Sequence, residues 1–152
     1  MTIWCIDLDK TITATPAAMK ALMDGLRSQG ISVQVLTGVK APTVEHGAVA
    51  AKHSLLASLG MSGSYDTLVV VADPHNDVAA QKVAYMAHVG ASVLVDNNKR
   101  NCKAATKAGF LALRHIDPKH PVREPTHANR PVPHDAAQSD VPAARELVSV
   151  GA

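Results

Sequence analysis

The chain has 152 residues, of which 47% are hydrophobic and only 3% aromatic, and its formal net charge is +2. This length suggests one domain with a single substantial core, and the small, dispersed charge makes no case for a nucleic-acid or membrane-surface binder. Cys5 and Cys102 are too few and too far apart in sequence for a disulfide framework or a zinc cluster, as is typical of a cytoplasmic protein.

Five apolar runs alternate along the chain with segments of helical character. We expect strands at about residues 3–6, 31–36, 68–72, 92–95 and 109–113. The first helix begins with Thr15 as its cap and Pro16 as its first residue, and Gly30 ends it. A second helix is expected at about residues 45–59, and a third starts with Asn76 or Asp77 as its cap and runs to about residue 88. A run of small residues before the fifth strand predicts a fourth helix. This alternation predicts an α/β fold: a doubly wound, Rossmann-like three-layer sandwich around a mostly parallel five-stranded sheet.

Two carboxylates stand directly after the first strand, at Asp7 and Asp9. Open α/β sheets bind their ligands at the carboxyl ends of the strands. Because isolated buried charge is costly, these side chains must meet water, a cation or a reacting group. A bound Mg²⁺ would suit them best, since it takes hard oxygen ligands and keeps several waters. The plainer alternative is a strand-end loop with two solvated aspartates.

The segment Asp7-Leu8-Asp9-Lys10-Thr11 resembles the first motif of the haloacid dehalogenase (HAD-like) phosphohydrolase superfamily, an apolar strand followed by Asp-x-Asp-x-Thr. The resemblance implies that Asp7 is the nucleophile and becomes an aspartyl-phosphate. It also implies that Asp9 is the general acid toward the leaving group and the base toward water. This division is chemically sensible, since a carboxylate nucleophile splits phosphoryl transfer into two easier steps. Lys10 departs from the motif, in which glycine is frequent at this position.

Two further family motifs match residues at fitting positions. By resemblance, Thr37 at the end of the second strand hydrogen-bonds a phosphoryl oxygen, and Gly38 belongs to the same phosphate-binding segment. A hydroxyl and nearby backbone N–H groups can hold a transferring group in a fixed orientation. The family's third motif is a lysine upstream of the fourth strand that balances negative charge, and Lys82 matches it. Taken alone, each signal is weak, because strand-end threonines and helix lysines are common.

The fourth motif of the family follows the fourth strand and completes a Mg²⁺ site. Asp96 matches its first acid, so the resemblance implies that Asp7, Asp9 and Asp96 hold the metal. Asn97 stands where a second aspartate is often found, and Asn101 matches a later polar residue. The loss of one charge should weaken metal binding or shift metal preference, although an asparagine can still supply a carbonyl oxygen.

The resemblance covers about residues 1–115 and implies a catalytic domain at 1–116 with strand order 5-4-1-2-3 and no cap domain. It implies a capless, Mg²⁺-dependent phosphomonoester hydrolase, and Asp9 disfavours dehalogenase chemistry, because the family's dehalogenases lack this acid. Without a cap the site is open, so the expected partner is a phosphorylated small molecule or the phosphorylated end of a macromolecule. Nucleotides, phosphorylated nucleic-acid ends and phosphoproteins are the candidates.

Two other readings of these residues stay open. The chain could be a catalytically weak or inactive HAD-like binding or assembly module, a reading motivated by Asn97 and the long tail. A response-regulator-like receiver also uses strand-end aspartates, but its acidic pair and its phosphorylated aspartate lie on different strands. Asp73 is a further strand-end carboxylate, although Asp-Pro is common turn chemistry.

The last part of the chain changes in character and is proline-rich. We expect a tail at residues 117–152, extended over 117–139 and with a short helix at 143–150. His120, His127 and His134 invite a metal-binding interpretation, but their spacing in a proline-rich segment fixes no coordination geometry. The favoured alternative is a solvated tail that either wraps the domain or contacts a partner subunit in a homo-oligomer. No apolar run approaches roughly 18 residues and no basic segment precedes the first strand, so neither a membrane span nor a signal peptide is expected.

Overall fold

The structure, a computed structural model, describes residues 1–120. The expected tail lies outside this range except for residues 117–120, and so do the expected helix at 143–150 and the residues His127 and His134. Among the described residues, no helix has the length and apolarity that crossing a membrane requires.

Five strands alternate with four helices. The strands are β1 (Ile3–Ile6), β2 (Ser32–Gly38), β3 (Thr67–Val71), β4 (Val93–Asp96) and β5 (Leu111–Arg114). The helices are α1 (Pro16–Ser28), α2 (His46–Ser58), α3 (Val78–Val89) and α4 (Lys99–Lys107), and a kinked π-type turn at Leu8–Ile12 follows β1. These elements match the expected ones closely; β2 continues through Thr37 and Gly38, two residues beyond its expected end.

The sheet is parallel throughout, with spatial order β3-β2-β1-β4-β5. This is the expected order 5-4-1-2-3 read from the opposite edge, so the predicted doubly wound α/β fold is confirmed. Within residues 1–120 a single helix leads from each strand to the next, which leaves no inserted cap domain.

The core lies on both faces of the sheet, because successive residues of a strand point to opposite sides. One buried cluster joins the sheet to α1 and α2 and includes Ile6, Val35, Val95, Met23 and Leu56. The other joins the sheet to α3 and α4 and includes Cys5, Leu36, Leu94, Met86 and Ala105. Since a fully buried aliphatic side chain contributes about 1.5–3 kcal/mol, these clusters fix two helices on each face.

Two helix starts were predicted from capping residues, and only one is capped as expected. Asp77 accepts a hydrogen bond from the Ala80 backbone N–H at 3.2 Å and so caps α3. Thr15 stands at the cap position of α1, but its hydroxyl makes no capping bond. That hydroxyl lies 2.9 Å from Nε2 of His115 instead, so a contact with the chain after β5 replaces the local cap.

Strand register brings the polar strand ends together. Ile6 is level with Val35 of β2 and with Val95 of β4. The backbone N–H of Asp7 donates to the carbonyl oxygen of Val95 at 2.8 Å, so Asp7 continues the hydrogen bonding between β1 and β4. As a result, the residues that end β1, β2 and β4 meet at one edge of the sheet.

Candidate active site

The centre of this edge is an ammonium group held between two buried carboxylates. Asp7 follows β1 and is 5% exposed, and Asp96 ends β4 and is fully buried. Lys82 of α3 is 1% exposed, and its Nζ donates to Oδ1 of Asp7 at 2.6 Å and to Oδ2 of Asp96 at 2.7 Å. Three of the residues predicted for the site therefore form one continuous cluster.

The cluster has one more negative charge than positive, which perturbs the pKa of Asp7. Burial is the largest cause and raises the pKa of this carboxyl from 3.8 to about 6. Lys82 opposes that shift, whereas the neighbouring charges of Asp96 and Asp9 add to it. Burial also acts to lower the pKa of Lys82, but the two carboxylates outweigh burial and raise it, so the ammonium stays protonated.

Asp96 is oriented by its own loop. Its Oδ1 accepts a hydrogen bond from the Asn98 backbone N–H at 2.8 Å. Its Oδ2 accepts a second bond, also at 2.8 Å, from the side-chain amide of Asn101, which is buried at the start of α4. Asn101, matched above to a polar position of the fourth motif, therefore fixes the carboxylate that Lys82 contacts.

Thr11 fixes the other carboxylate, and its motif position gave no indication of this contact. The residue is fully buried, and its hydroxyl donates to Oδ2 of Asp7 at 3.2 Å. The Thr11 hydroxyl oxygen in turn accepts a hydrogen bond from the Asn97 backbone N–H at 3.0 Å. Thr11 thus links the loop after β1 to the loop after β4.

Asp9 lies in a different environment from Asp7. Its side chain is 51% exposed, and its Oδ2 accepts hydrogen bonds from Thr37 Oγ1 at 3.1 Å and from Lys52 Nζ at 2.6 Å. The next residue, Lys10, has the left-handed backbone conformation (φ 59°) that glycine adopts most readily. The left-handed turn lies between Asp9 and the buried Thr11, so Asp9 can stay in contact with solvent.

Lys52 is the residue of this edge that the sequence analysis missed. It lies in α2, and no motif or strand end marks it. Thr37 was predicted to hold a phosphoryl oxygen; in the structure its hydroxyl donates to Asp9. Gly38 has a packing role in addition, because a Cβ built there would lie 2.6 Å from Cγ1 of Val78.

The carboxylates of the predicted Mg²⁺ site do not converge on one point. Within residues 1–120, no three His, Cys, Asp or Glu side chains lie close enough to form a metal-binding group. Asp7 and Asp96 share Lys82, whereas Asp9 pairs with Lys52. The donor chemistry nevertheless suits a hard cation, since the oxygens are carboxylates and the buried cluster has excess negative charge. Mg²⁺ is usually held by one or two carboxylates together with water and substrate phosphates, so these residues fit the ion as partial ligands.

Asp73 forms part of a turn, the alternative that its Asp-Pro sequence had suggested. Its carboxylate accepts a hydrogen bond from the Asp77 backbone N–H, which closes the loop between β3 and α3. That contact leaves Asp73 outside the cluster around Lys82.

Comparison with known proteins identifies the fold and no family. No family model matches the chain, and no curated protein matches it. An uncharacterized protein from Corynebacterium glutamicum has a similar structure, with a TM-score of 0.53 and 17% identity over 76% of this chain and 85% of that chain. A universal stress protein from Archaeoglobus fulgidus has a TM-score of 0.51 and 12% identity over 75% of this chain and 93% of that chain. At these identities the similarity shows the α/β fold alone.

Proposed function

We propose that this protein hydrolyses phosphomonoesters through an aspartyl-phosphate intermediate with the help of Mg²⁺. The observation that carries the proposal is the buried Lys82 ammonium bridging Asp7 and Asp96. Burial of two carboxylates and an ammonium costs several kcal/mol per ion, a cost that packing alone gives no reason to bear. The same arrangement holds a nucleophilic carboxylate in one orientation and supplies positive charge where a phosphoryl group would bind.

In the first step, an oxygen of Asp7 attacks phosphorus and displaces the alcohol of the ester. Asp7 must be ionised to attack, and a pKa of about 6 leaves it mostly ionised at neutral pH. The hydrogen bonds from Lys82 and Thr11 keep the carboxylate from rotating. Lys82 also offsets part of the repulsion between this carboxylate and the negative phosphate.

Asp9 would transfer the protons. As general acid it gives a proton to the departing oxygen of the ester, and as general base it then takes a proton from water. That water attacks the aspartyl-phosphate, releases inorganic phosphate and regenerates Asp7. The half-exposed position of Asp9 allows it to meet both leaving group and water, and Lys52 holds its carboxylate.

The phosphoryl oxygens need partners of their own. Thr37 and Gly38 are the proposed phosphate-binding residues. The Thr37 hydroxyl, which donates its one hydrogen bond to Asp9 in the structure, would donate it to a phosphoryl oxygen when substrate binds. When bound, Mg²⁺ would neutralise charge on the phosphoryl oxygens as a Lewis acid, with Asp7 and Asp96 as its proposed partial ligands beside water and the substrate phosphate. A site without a cap would admit nucleotides, phosphorylated nucleic-acid ends or phosphoproteins, in keeping with a cytoplasmic role.

The direct test is Mg²⁺-dependent release of phosphate from an aryl phosphate by the Asp7→Asn variant. We expect turnover to fall on the order of a thousandfold or more, because the nucleophile is lost while the side-chain shape is kept. Asp24→Asn is the matched control, since Asp24 is an exposed partner of Lys20 on α1. Equal turnover by wild type and Asp7→Asn would refute the proposal.

One observation favours the alternative of a binding or assembly module. The buried carboxylates already have protein partners, and the described residues contain no three-ligand metal group. A module of this kind would bind no Mg²⁺ in titration calorimetry and would release no phosphate. Mg²⁺ binding that is weakened in Asp96→Asn, together with phosphate release, would dismiss the module.

A further inference from the structure

A second polar region adjoins the loop that carries Asp7 and Asp9. It is a cavity of about 540 Å³ at the carboxyl ends of β1, β4 and β5, within the range of small-ligand pockets. Its wall includes residues from the loops after those strands: Lys10, Thr13, Asn97, Arg114, His115 and His120.

Two residues of the cavity wall are linked to the proposed catalytic residues. Lys10 directly follows Asp9, the proposed acid for the departing oxygen. Asn97 donates its backbone N–H to Thr11, which in turn donates to Asp7. The Asp9 carboxylate itself contacts Thr37 and Lys52 on the β2 side, so a leaving group would have to extend past Lys10 to reach the cavity.

The charges of the wall favour an anion. Lys10 and Arg114 contribute two positive charges and Asp117 one negative charge, a net of +1 with the histidines neutral. Neither Lys10 nor Arg114 forms an ion pair with any residue in the range 1–120. One oxygen of the Asp117 carboxylate already accepts a hydrogen bond, from the Lys119 backbone N–H at 2.9 Å.

Hydrogen bonding in the same wall is incomplete. Nε2 of His115 lies 2.9 Å from the Thr15 hydroxyl, but its Nδ1 is buried without a partner among the described residues. Buried polar atoms in proteins nearly always have a partner, so this ring is a further group that a polar ligand could satisfy.

We propose that the cavity binds a second phosphoryl group carried on the leaving group of the substrate. The inference rests on the proposed function, because it assigns the scissile phosphate to Asp7 and the second one to Lys10 and Arg114. The substrate class is then a phosphomonoester that bears another phosphate, such as a nucleoside bisphosphate or the phosphorylated end of an oligonucleotide. Arginine suits the second group, since its guanidinium can donate two parallel hydrogen bonds to a phosphate.

The test compares adenosine 5'-monophosphate with adenosine 3',5'-bisphosphate in wild type, Arg114→Gln and Lys103→Gln. Lys103 is an exposed lysine of α4 outside this cavity, so Lys103→Gln controls for the loss of one positive charge. In Arg114→Gln we expect kcat/KM for the bisphosphate to fall about fivefold more than kcat/KM for the monophosphate does. A change of about fivefold is the upper end of what an exposed ion pair supplies. The bisphosphate has two scissile esters and the monophosphate one. This difference is the same for all three proteins, so it does not affect the comparison between variants.

A third substrate, a 5'-phosphorylated trinucleotide, separates the two sources of the second phosphate. Dependence on Arg114 for the trinucleotide would identify a nucleic-acid end, whereas dependence for the bisphosphate alone would identify a free nucleotide. Equal effects of Arg114→Gln on all three esters would overturn the inference and leave the hydrolase intact.

Calorimetry separates failure of the inference from failure of the proposed function. If no ester is hydrolysed by wild type, the proposed function fails. Bisphosphate binding that Arg114→Gln weakens about fivefold would then still support an anion site in this cavity. Binding that is the same in wild type and Arg114→Gln would overturn the inference.

Discussion

The buried carboxylate of Asp7 should destabilise the fold at neutral pH. The Asp7→Asn variant, which lacks this charge, should reveal the destabilisation as a difference in unfolding free energy. Asp7 is 5% exposed, and burial raises its pKa to about 6 from a usual value of 3.8. The folded state therefore holds the proton of this carboxyl more tightly than the unfolded state does. Asparagine keeps the shape of the side chain and removes the ionisation.

The sign and size of the effect follow from this shift. A carboxyl whose folded pKa lies above its unfolded value carries no penalty below about pH 4, where it is protonated in both states. The penalty grows between about pH 4 and about pH 6 and is complete above it. A shift of about 2 pKa units corresponds to about 3 kcal/mol. As the pH rises from about 4 to above about 6, the free energy of unfolding of Asp7→Asn should therefore gain about 3 kcal/mol relative to that of wild type.

The assay is urea unfolding of both proteins at several values from about pH 4 to about pH 8, with EDTA present so that no metal ion occupies the carboxylates. Asp7→Asn also loses a partner of Lys82, which adds a constant penalty, so the informative quantity is the change of the difference with pH. Asp24→Asn is the control. The Lys20 hydrogen bond lowers the pKa of Asp24, so its variant should show no rising advantage. A stability difference between Asp7→Asn and wild type that is flat with pH would refute the reasoning.

Three further substitutions test other parts of the edge. Lys82→Met leaves two carboxylates buried without their cation and should cost about 3–5 kcal/mol at neutral pH; urea unfolding that shows less than about 1 kcal/mol would contradict this. Lys10→Gly relieves a left-handed backbone conformation and should raise stability by about 0.5–1 kcal/mol in the same assay, and a loss of stability would count against the turn geometry. Lys52→Gln removes the ammonium that holds Asp9 and should lower kcat about tenfold with little change in KM; unchanged kcat would remove Lys52 from the site.

The sequence predicted the fold and the strand-end residues because both depend on local patterns. Apolar runs and glycine boundaries mark the strands, and parallel strands bring their carboxyl ends to one edge. Asp7 and Asp96 could therefore be assigned to the same edge, whereas Lys82 was matched only through the resemblance, as a lysine upstream of the fourth strand. In the structure, the Lys82 ammonium donates to both carboxylates, so these three residues lie together.

The contacts that sequence analysis missed are set by how helices and loops pack. Lys52 reaches Asp9 from α2, 43 positions along the chain, and no periodicity distinguishes it from a solvated lysine. The Thr15 hydroxyl contacts His115, 100 positions away, instead of capping its own helix. In each case a tertiary contact decides what a polar side chain does, and local propensity carries no information about it.

The central claim is that Asp7 becomes phosphorylated during turnover. The measurement is acid quenching of Asp9→Asn protein during turnover of a radiolabelled aryl phosphate with Mg²⁺, followed by peptide mapping. An aryl leaving group departs without a general acid, so the intermediate still forms in this variant. Loss of the general base should slow hydrolysis of the intermediate, so the account predicts an acyl-phosphate on the peptide containing Asp7 that hydroxylamine removes. Release of phosphate by wild type with no label on Asp7 in either protein would contradict it.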